Sequence, residues 1–156
     1  MTSWTLPTVP VSAGALITDE AGRLLILKPT YKSGWTIPGG VMEADGETPW
    51  ECCQREVFEE TGLRVASGRL VAVDTRAAKA DAQLGIRFLF DCGSVTAAEA
   101  AGIVLQESEI SDFRFAPLVE AEALLRKRVR RRVRRALAGP GVVYLEDGRP
   151  PLGITP

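Results

Sequence analysis

Residues 38–63 read PGGVMEADGETPWECCQREVFEETGL, and the second half of that stretch carries its own helix instructions. Thr48 is a natural N-cap, Pro49 suits the first helical position, and Glu51 completes a Thr-x-x-Glu capping box. Gly62 can take the left-handed conformation that ends a helix. At about 100° per residue, Glu56, Glu59 and Glu60 share one side of the helix, while Trp50, Cys53, Val57 and Thr61 fall on another. The glutamates are poorly placed for stability. Glu56 has like-charge neighbours three and four residues on, each unfavourable by roughly 0.2–0.5 kcal/mol. Glu59 and Glu60 also lie in the last turn, where the helix dipole disfavours negative charge. A solvated acidic face, with Glu51, Arg55 and Glu59 as favourable i,i+4 pairs, is one reading. Local rules broken together on an otherwise well-specified helix point instead to a site.

Composition narrows the chemistry. A chain of 156 residues, 46% hydrophobic and 25% charged, is one domain's worth of globular protein, so residues 1–156 are expected to form a single domain. The longest apolar runs fall far short of the roughly 20 residues that span a membrane. The N-terminus has no basic segment followed by an apolar one, so no secretory signal is evident. Three cysteines, two of them adjacent on the helix, do not make a disulfide framework, and Cys52 and Cys53 read as small apolar residues. A cytoplasmic protein with no membrane partner is the consistent expectation. There is no histidine, which removes His-dependent triads, His-ligated zinc and imidazole acid–base catalysis. Hydrolytic chemistry must then run on carboxylates, lysine or a metal, and hard oxygen ligands suit Mg²⁺ or Mn²⁺.

Outward from the helix, residues 1–10 read as an extended lead-in, 11–18 as a strand, 19–22 as a turn and 23–28 as the return strand. Tyr31 and Trp35 have the faces to stack on a base, but core packing is the leading expectation for both. After the helix, 70–75 and 84–91 read as strands joined by an Ala-rich loop at 77–82. Residues 95–102 are ambiguous, and 103–106 read as a short strand. Residues 118–138 read as one helix with an apolar stripe of Leu125, Val129, Val133 and Ala136 or Leu137. Between positions 126 and 135 lie eight of the chain's 19 basic residues and no acidic one. That helix is expected to be core-packed with a solvated basic back face, binding nucleic acid weakly or not at all. Residues 139–156, rich in Gly and Pro, read as a tail lying over the domain.

The segment Arg55-Glu56-Val57-Phe58-Glu59-Glu60-Thr61-Gly62-Leu63 resembles the core of the Nudix box, Arg-Glu-aliphatic-x-Glu-Glu-x-Gly-aliphatic. Glu47 stands eight residues before Arg55 as that pattern asks, and Gly39-Gly40 open the box, which spans 39–63. The chain departs from the pattern at one point: six residues rather than five separate Gly40 from Glu47, read as a one-residue loop insertion ahead of the helix. The resemblance to MutT-like Nudix hydrolases implies an α/β fold, a mixed β-sheet sandwiched between α-helices. It implies metal-dependent hydrolysis of a nucleoside diphosphate linked to another moiety, by attack of water at phosphorus. By position in the motif, Glu56, Glu59 and Glu60 would be metal ligands, joined by the Gly40 carbonyl, with Mg²⁺ leading and Mn²⁺ the alternative. Glu59 would share the base role, Arg55 would orient a catalytic glutamate, and Glu47 would support the metal site or its waters beside Gly39. Residues 107–115 look like the family's late strand. There Glu109, with Glu107 second, is the candidate for an additional ligand or general base.

The substrate is less specified. Family subgroups acting on ADP-ribose or dinucleoside polyphosphates tend to carry a proline or tyrosine fifteen to eighteen residues past the box. Residues 77–82 offer neither, so a (deoxy)nucleoside triphosphate or a nucleoside diphosphate sugar leads. An RNA 5′ pyrophosphohydrolase using the basic helix, and a non-catalytic nucleotide-binding regulatory module, are the competing readings. A homodimer is one assembly open to such a chain.

Overall fold

Alternation decides how the central strands sit. In the computed structural model, which describes residues 3–155, strand β1 (Val11–Thr18) sends Ala13, Ala15 and Ile17 to one face of a sheet and Leu16 to the other. The neighbouring β2 (Leu24–Pro29) does the same with Leu25 and Leu27 against Leu24 and Ile26. Both faces of these strands are buried, which accounts for the unbroken apolar run of β2.

The remaining elements are β3 (Gly39–Val41), α1 (Pro49–Thr61), β4 (Arg69–Arg76), β5 (Gly85–Ser94), α2 (Ala97–Ala101), β6 (Ile110–Ala116), α3 (Leu118–Leu124), α4 (Lys127–Leu137) and β7 (Val143–Glu146). Seven strands form one mixed sheet in the order β6-β2-β1-β5-β4-β7, with β3 paired to β1 off that path. β1 runs parallel to β5 and antiparallel to both β2 and β3. Its edge is shared: Ser12, Ala13 and Gly14 pair with β3, and Thr18 pairs with the start of β2. Helix α1 covers one face through Cys52, Cys53 and Val57. Helices α3 and α4 cover the other through Ala121, Val129, Val133 and Ala136. This is the expected α/β arrangement, a mixed sheet between helices.

Three expectations are corrected. Residues 118–138 are two helices, not one. Leu125 and Arg126 adopt extended backbone between them (ψ 141° and 144°). No Gly or Pro causes this break; Trp35 does. Its N–H donates to the Leu124 carbonyl (3.2 Å) and its carbonyl accepts from the Arg126 N–H (3.0 Å). A backbone segment inserted there removes groups the continuous helix would need. Residues 103–106 form no strand; the Val104 N–H donates instead to the Thr61 carbonyl (2.9 Å), satisfying an orphan acceptor at the end of α1. The tail at 139–156 contributes β7, which pairs in parallel with β4 from Ala72↔Val143 to Thr75↔Glu146 and buries Leu145 completely. The ambiguous stretch at 95–102 holds α2, started by a Thr96–Glu99 capping box. Among the described residues no helix is long and apolar enough to cross a membrane.

Candidate functional site

Helix α1 begins and ends as its sequence dictates. The Glu51 N–H donates to Thr48 Oγ1 (3.2 Å), the Thr48 N–H donates to Glu51 Oε2 (3.0 Å), and Gly62 closes the helix at φ 76°. That frame sets the rotation of the acidic residues. Cys52, Cys53, Val57 and Thr61 point into the core, and Glu60 goes in with them at 3% exposure. Glu56 is half-buried, and Glu59 is exposed.

Arg55 is the hub of the visible side of this helix. Its Nε donates to Glu47 Oε1 (2.6 Å) and its Nη2 to Glu47 Oε2 (3.0 Å), the forked pairing a planar guanidinium favours. Its Nη1 donates to Glu56 Oε1 (3.0 Å) and Glu59 Oε2 (3.1 Å), and its Nη2 also reaches the Val41 carbonyl (3.1 Å). The Arg55 guanidinium holds the Glu47 carboxyl down at about 2. The extra residue ahead of the helix is absorbed in a turn, where Asp45 Oδ1 accepts from the Glu47 N–H (3.1 Å). Glu47 therefore still meets Arg55.

Glu60 has a different partner. Its Oε1 accepts from the Gly39 N–H (2.8 Å), across the gap between α1 and β3. Burial, opposed by that hydrogen bond and reinforced by the charges of Glu56, Glu109 and Glu59, pushes its carboxyl up to about 8. Glu56 is raised as well, by burial against the counter-effect of Arg55. Both glycines have steric reasons. A Cβ on Gly39, which sits at φ 150°, would run into the Ala13 carbonyl, and one on Gly40 would run into the Glu56 carboxylate. The Gly40 carbonyl accepts from the Cys52 thiol (3.5 Å).

The expected residues thus divide by place. Arg55, Glu47, Glu56 and Glu59 form one connected cluster, with Glu60, Gly39 and Gly40 against its buried side. Glu109 arrives from the loop before β6, where its carbonyl accepts from the Thr30 N–H (2.8 Å), and its charge is felt by Glu56, Glu60 and Tyr31. Glu107 is exposed. Trp35 is core, 9% exposed; Tyr31 is not, and instead lines a cavity.

That cavity, about 180 Å³, lies in the fork of β1, β3 and β5 and has Glu60, Gly39 and Gly40 on its wall. Lys32, Arg87, Arg126 and Arg132 also line it. Sequence reasoning missed Lys32 and Arg87, and treated Arg126 only as part of a basic helix. A lone arginine inside the apolar run Ile86-Arg87-Phe88-Leu89-Phe90 was the available signal. The donors available to a metal are all oxygens, which suits a hard divalent cation, and burial first, with the neighbouring acids after it, raises the Glu56 and Glu60 carboxyls. Among the described residues no three such side chains are grouped to hold an ion as they stand. Arg55 occupies Glu56 and Glu59, and Gly39 occupies Glu60.

The model of the NUDIX domain matches residues 8–137 of this chain. The chain belongs to the NUDIX family. A MutT-like protein of Streptomyces ambofaciens is 43% identical to this NUDIX chain over 67 residues, 43% of each protein's length. The chain spans less than half the length of the curated relatives it matches. A crystal structure of the MutT protein from Methanosarcina mazei superposes with a TM-score of 0.66 at 27% identity, over 81% of this chain and 91% of that one. The NUDIX domain of Shewanella oneidensis NrtR, solved with ADP ribose, superposes with a TM-score of 0.68 at 14% identity, over 84% and 88%. That last likeness is one of fold alone.

Proposed function

We propose that this NUDIX chain is a pyrophosphohydrolase that cleaves a nucleoside diphosphate linked to another moiety, with Mg²⁺ or Mn²⁺ as cofactor. The observation that carries the reading is the packing of Glu56 and Glu60 against the Gly39–Gly40 backbone, beside a cavity also lined by Lys32, Arg87, Arg126 and Arg132. A diphosphate entering there would find the positive charge of Lys32, Arg87 and Arg126 to face its oxygens.

A divalent cation, when bound, would neutralise the diphosphate and activate a water for attack at phosphorus. Glu56, Glu59 and Glu60 would hold it, and binding there competes with the Arg55 pairs and the Gly39 hydrogen bond. Glu60 would give up its proton on loading. Arg55, anchored on Glu47 and the Val41 carbonyl, would keep Glu56 and Glu59 oriented toward the site. Glu109, which is exposed and whose charge is felt by Glu56 and Glu60, would take a proton from the attacking water, with Glu59 the other candidate.

An RNA 5′ end as substrate has less support. Of the basic residues at 126–135, Arg132 pairs with Asp74, Arg134 pairs with Glu122, and Arg126 lines the cavity. The test is a panel of nucleoside triphosphates, nucleoside diphosphate sugars and 5′-triphosphorylated RNA incubated with protein and Mg²⁺, read by phosphate and pyrophosphate release. Turnover of a small nucleotide is expected. Cleavage of RNA alone would replace the small-molecule reading, and no turnover of any member would remove the catalytic one.

A further inference from the structure

The cationic wall of the cavity is charged beyond what the fold requires. Among the described residues, no carboxylate pairs with Lys32, Arg87 or Arg126. Arg132, the fourth basic group lining the cavity, is neutralised by Asp74 (2.8 Å), and Asp74 spends its other oxygen on the Gly148 N–H (2.9 Å). The Nε of Arg126 is buried without a hydrogen-bond partner among the described residues. Gly34, at φ 77°, leaves the space across which the Arg126 side chain lies. Arg76 repeats the pattern: its Nε is also buried and unpartnered, and it lines an adjoining cavity of about 250 Å³ that shares Ser12, Val41 and Arg87 with the first.

These cations repel one another. Burial and the charges of Arg132, Arg76 and Arg126 bring Arg87 down to about 10, and Lys32 is lowered by burial and by Arg126, Arg87 and Arg76. Helix α4 adds to the conflict: it starts at Arg126-Lys127-Arg128 with no acidic residue in its first turn and no side-chain cap, where the dipole favours an anion. Buried guanidinium donors without acceptors cost the folded state free energy unless a ligand satisfies them. The cavity is more cationic than aromatic: against four basic side chains it has two rings, Phe88, which also packs against the core on the α1 side, and Tyr31, which is 64% exposed.

We infer that Lys32, Arg87 and Arg126 form an anion subsite that seats a phosphate of the substrate beyond the two joined by the scissile bond. This rests on the pyrophosphohydrolase reading and narrows it. The substrate carries at least three phosphates, or two and a separate phosphate on the linked moiety, and the pocket reads that charge rather than a base. Nucleoside diphosphate sugars with a neutral sugar are then poor substrates.

The experiment titrates tripolyphosphate and, separately, inorganic phosphate into metal-free protein in EDTA, followed by calorimetry and thermal melting. Wild type, Arg87→Met, Arg126→Met and, as a control outside the cavity, Arg134→Met are compared. Tripolyphosphate is expected to bind wild type and Arg134→Met alike, since Arg134 lies outside the cavity and pairs with Glu122. It is expected to bind the Arg87 and Arg126 variants about 10-fold or more weakly, the loss of one charge-assisted hydrogen bond. Without ligand, the Arg87 and Arg126 variants are expected to melt no lower than wild type, because each removes a repelled charge and Arg126→Met also removes an unsatisfied donor. Absence of tripolyphosphate binding, or binding that the Arg87 and Arg126 variants both retain in full, would overturn the subsite. A lower ligand-free melting temperature in both variants would also overturn it, making the cluster structural. The catalytic reading fails separately, if wild type with Mg²⁺ turns over no phosphoanhydride while the arginine-dependent binding persists.

Discussion

At the scale of single residues, Glu60 carries the most consequence. Its one like-charge helix neighbour, Glu56, would alone make it a minor liability, a few tenths of a kcal/mol. Its burial makes it a larger one. A carboxyl whose folded value is about 8 against an ordinary 4.5 takes up a proton on folding through that range. Its folded pKa is raised, so stability is full below about 4.5 and falls as pH climbs through 8. In EDTA, wild type should therefore lose on the order of 3 kcal/mol between pH 4.5 and pH 7 through this group. Glu60→Gln can still accept from the Gly39 N–H and has no charge to bury. Its stability in EDTA, measured by urea unfolding, should be flatter across that range and higher at pH 7. A variant with the wild-type slope would assign the slope to another group. Arg55 offers a complementary case. Lysine cannot fork onto Glu47 while reaching Glu56, Glu59 and Val41, so Arg55→Lys should lose about 1–3 kcal/mol of stability. Turnover with Mg²⁺ should drop at least tenfold, and wild-type rates with Arg55→Lys would show that charge alone suffices.

At the scale of elements, the join between β4, α4 and the β7 turn hangs on one buried ion pair. Asp74, 3% exposed, accepts from Arg132 of α4 and from the Gly148 N–H just past β7. Removing one partner leaves the other charge buried and alone, so Asp74→Ala should cost about 3–5 kcal/mol in denaturant unfolding. Replacing both, Asp74→Leu with Arg132→Met, should recover much of that loss, since an apolar pair of similar volume carries no desolvation cost. A double variant as unstable as the single one would show that packing around the pair matters more than its charge. The same join explains why a helix so rich in arginine is stable: Val129, Val133 and Ala136 are buried, and Arg132 is neutralised between them.

At the scale of the whole molecule, the site is a meeting of three separate pieces of chain: α1, the β3 glycines, and the loop leading to β6. A cation held there ties these pieces together, so metal should stabilise the fold as well as enable turnover. At 100 times its dissociation constant, Mg²⁺ should add about 2.7 kcal/mol to wild type and less to Glu60→Gln. Melting in EDTA and in Mg²⁺ checks this alongside rates, which should vanish in EDTA and return with Mg²⁺ or Mn²⁺. Turnover in rigorously metal-free buffer would end the metal-dependent reading.

What the amino-acid sequence determined by itself was local. The capping box at Thr48 and Glu51, the left-handed stop at Gly62 and the β1–β2 hairpin all depend on residues within a few positions of one another. The box that names the family belongs to that class too, because most of its residues lie on one helix. What only the tertiary structure decided was non-local. Trp35 splits α3 from α4 through two backbone hydrogen bonds from some ninety residues away, and no residue at the break signals it. The tail became β7 because β4 had an open edge and Asp74 an acceptor for Gly148. Glu60 reads as one of three similar glutamates until the sheet buries it against Gly39. Arg87 and Arg126 are 39 positions apart in the chain, and only the packing of α4 against the sheet brings both to one cavity, where their charges act together.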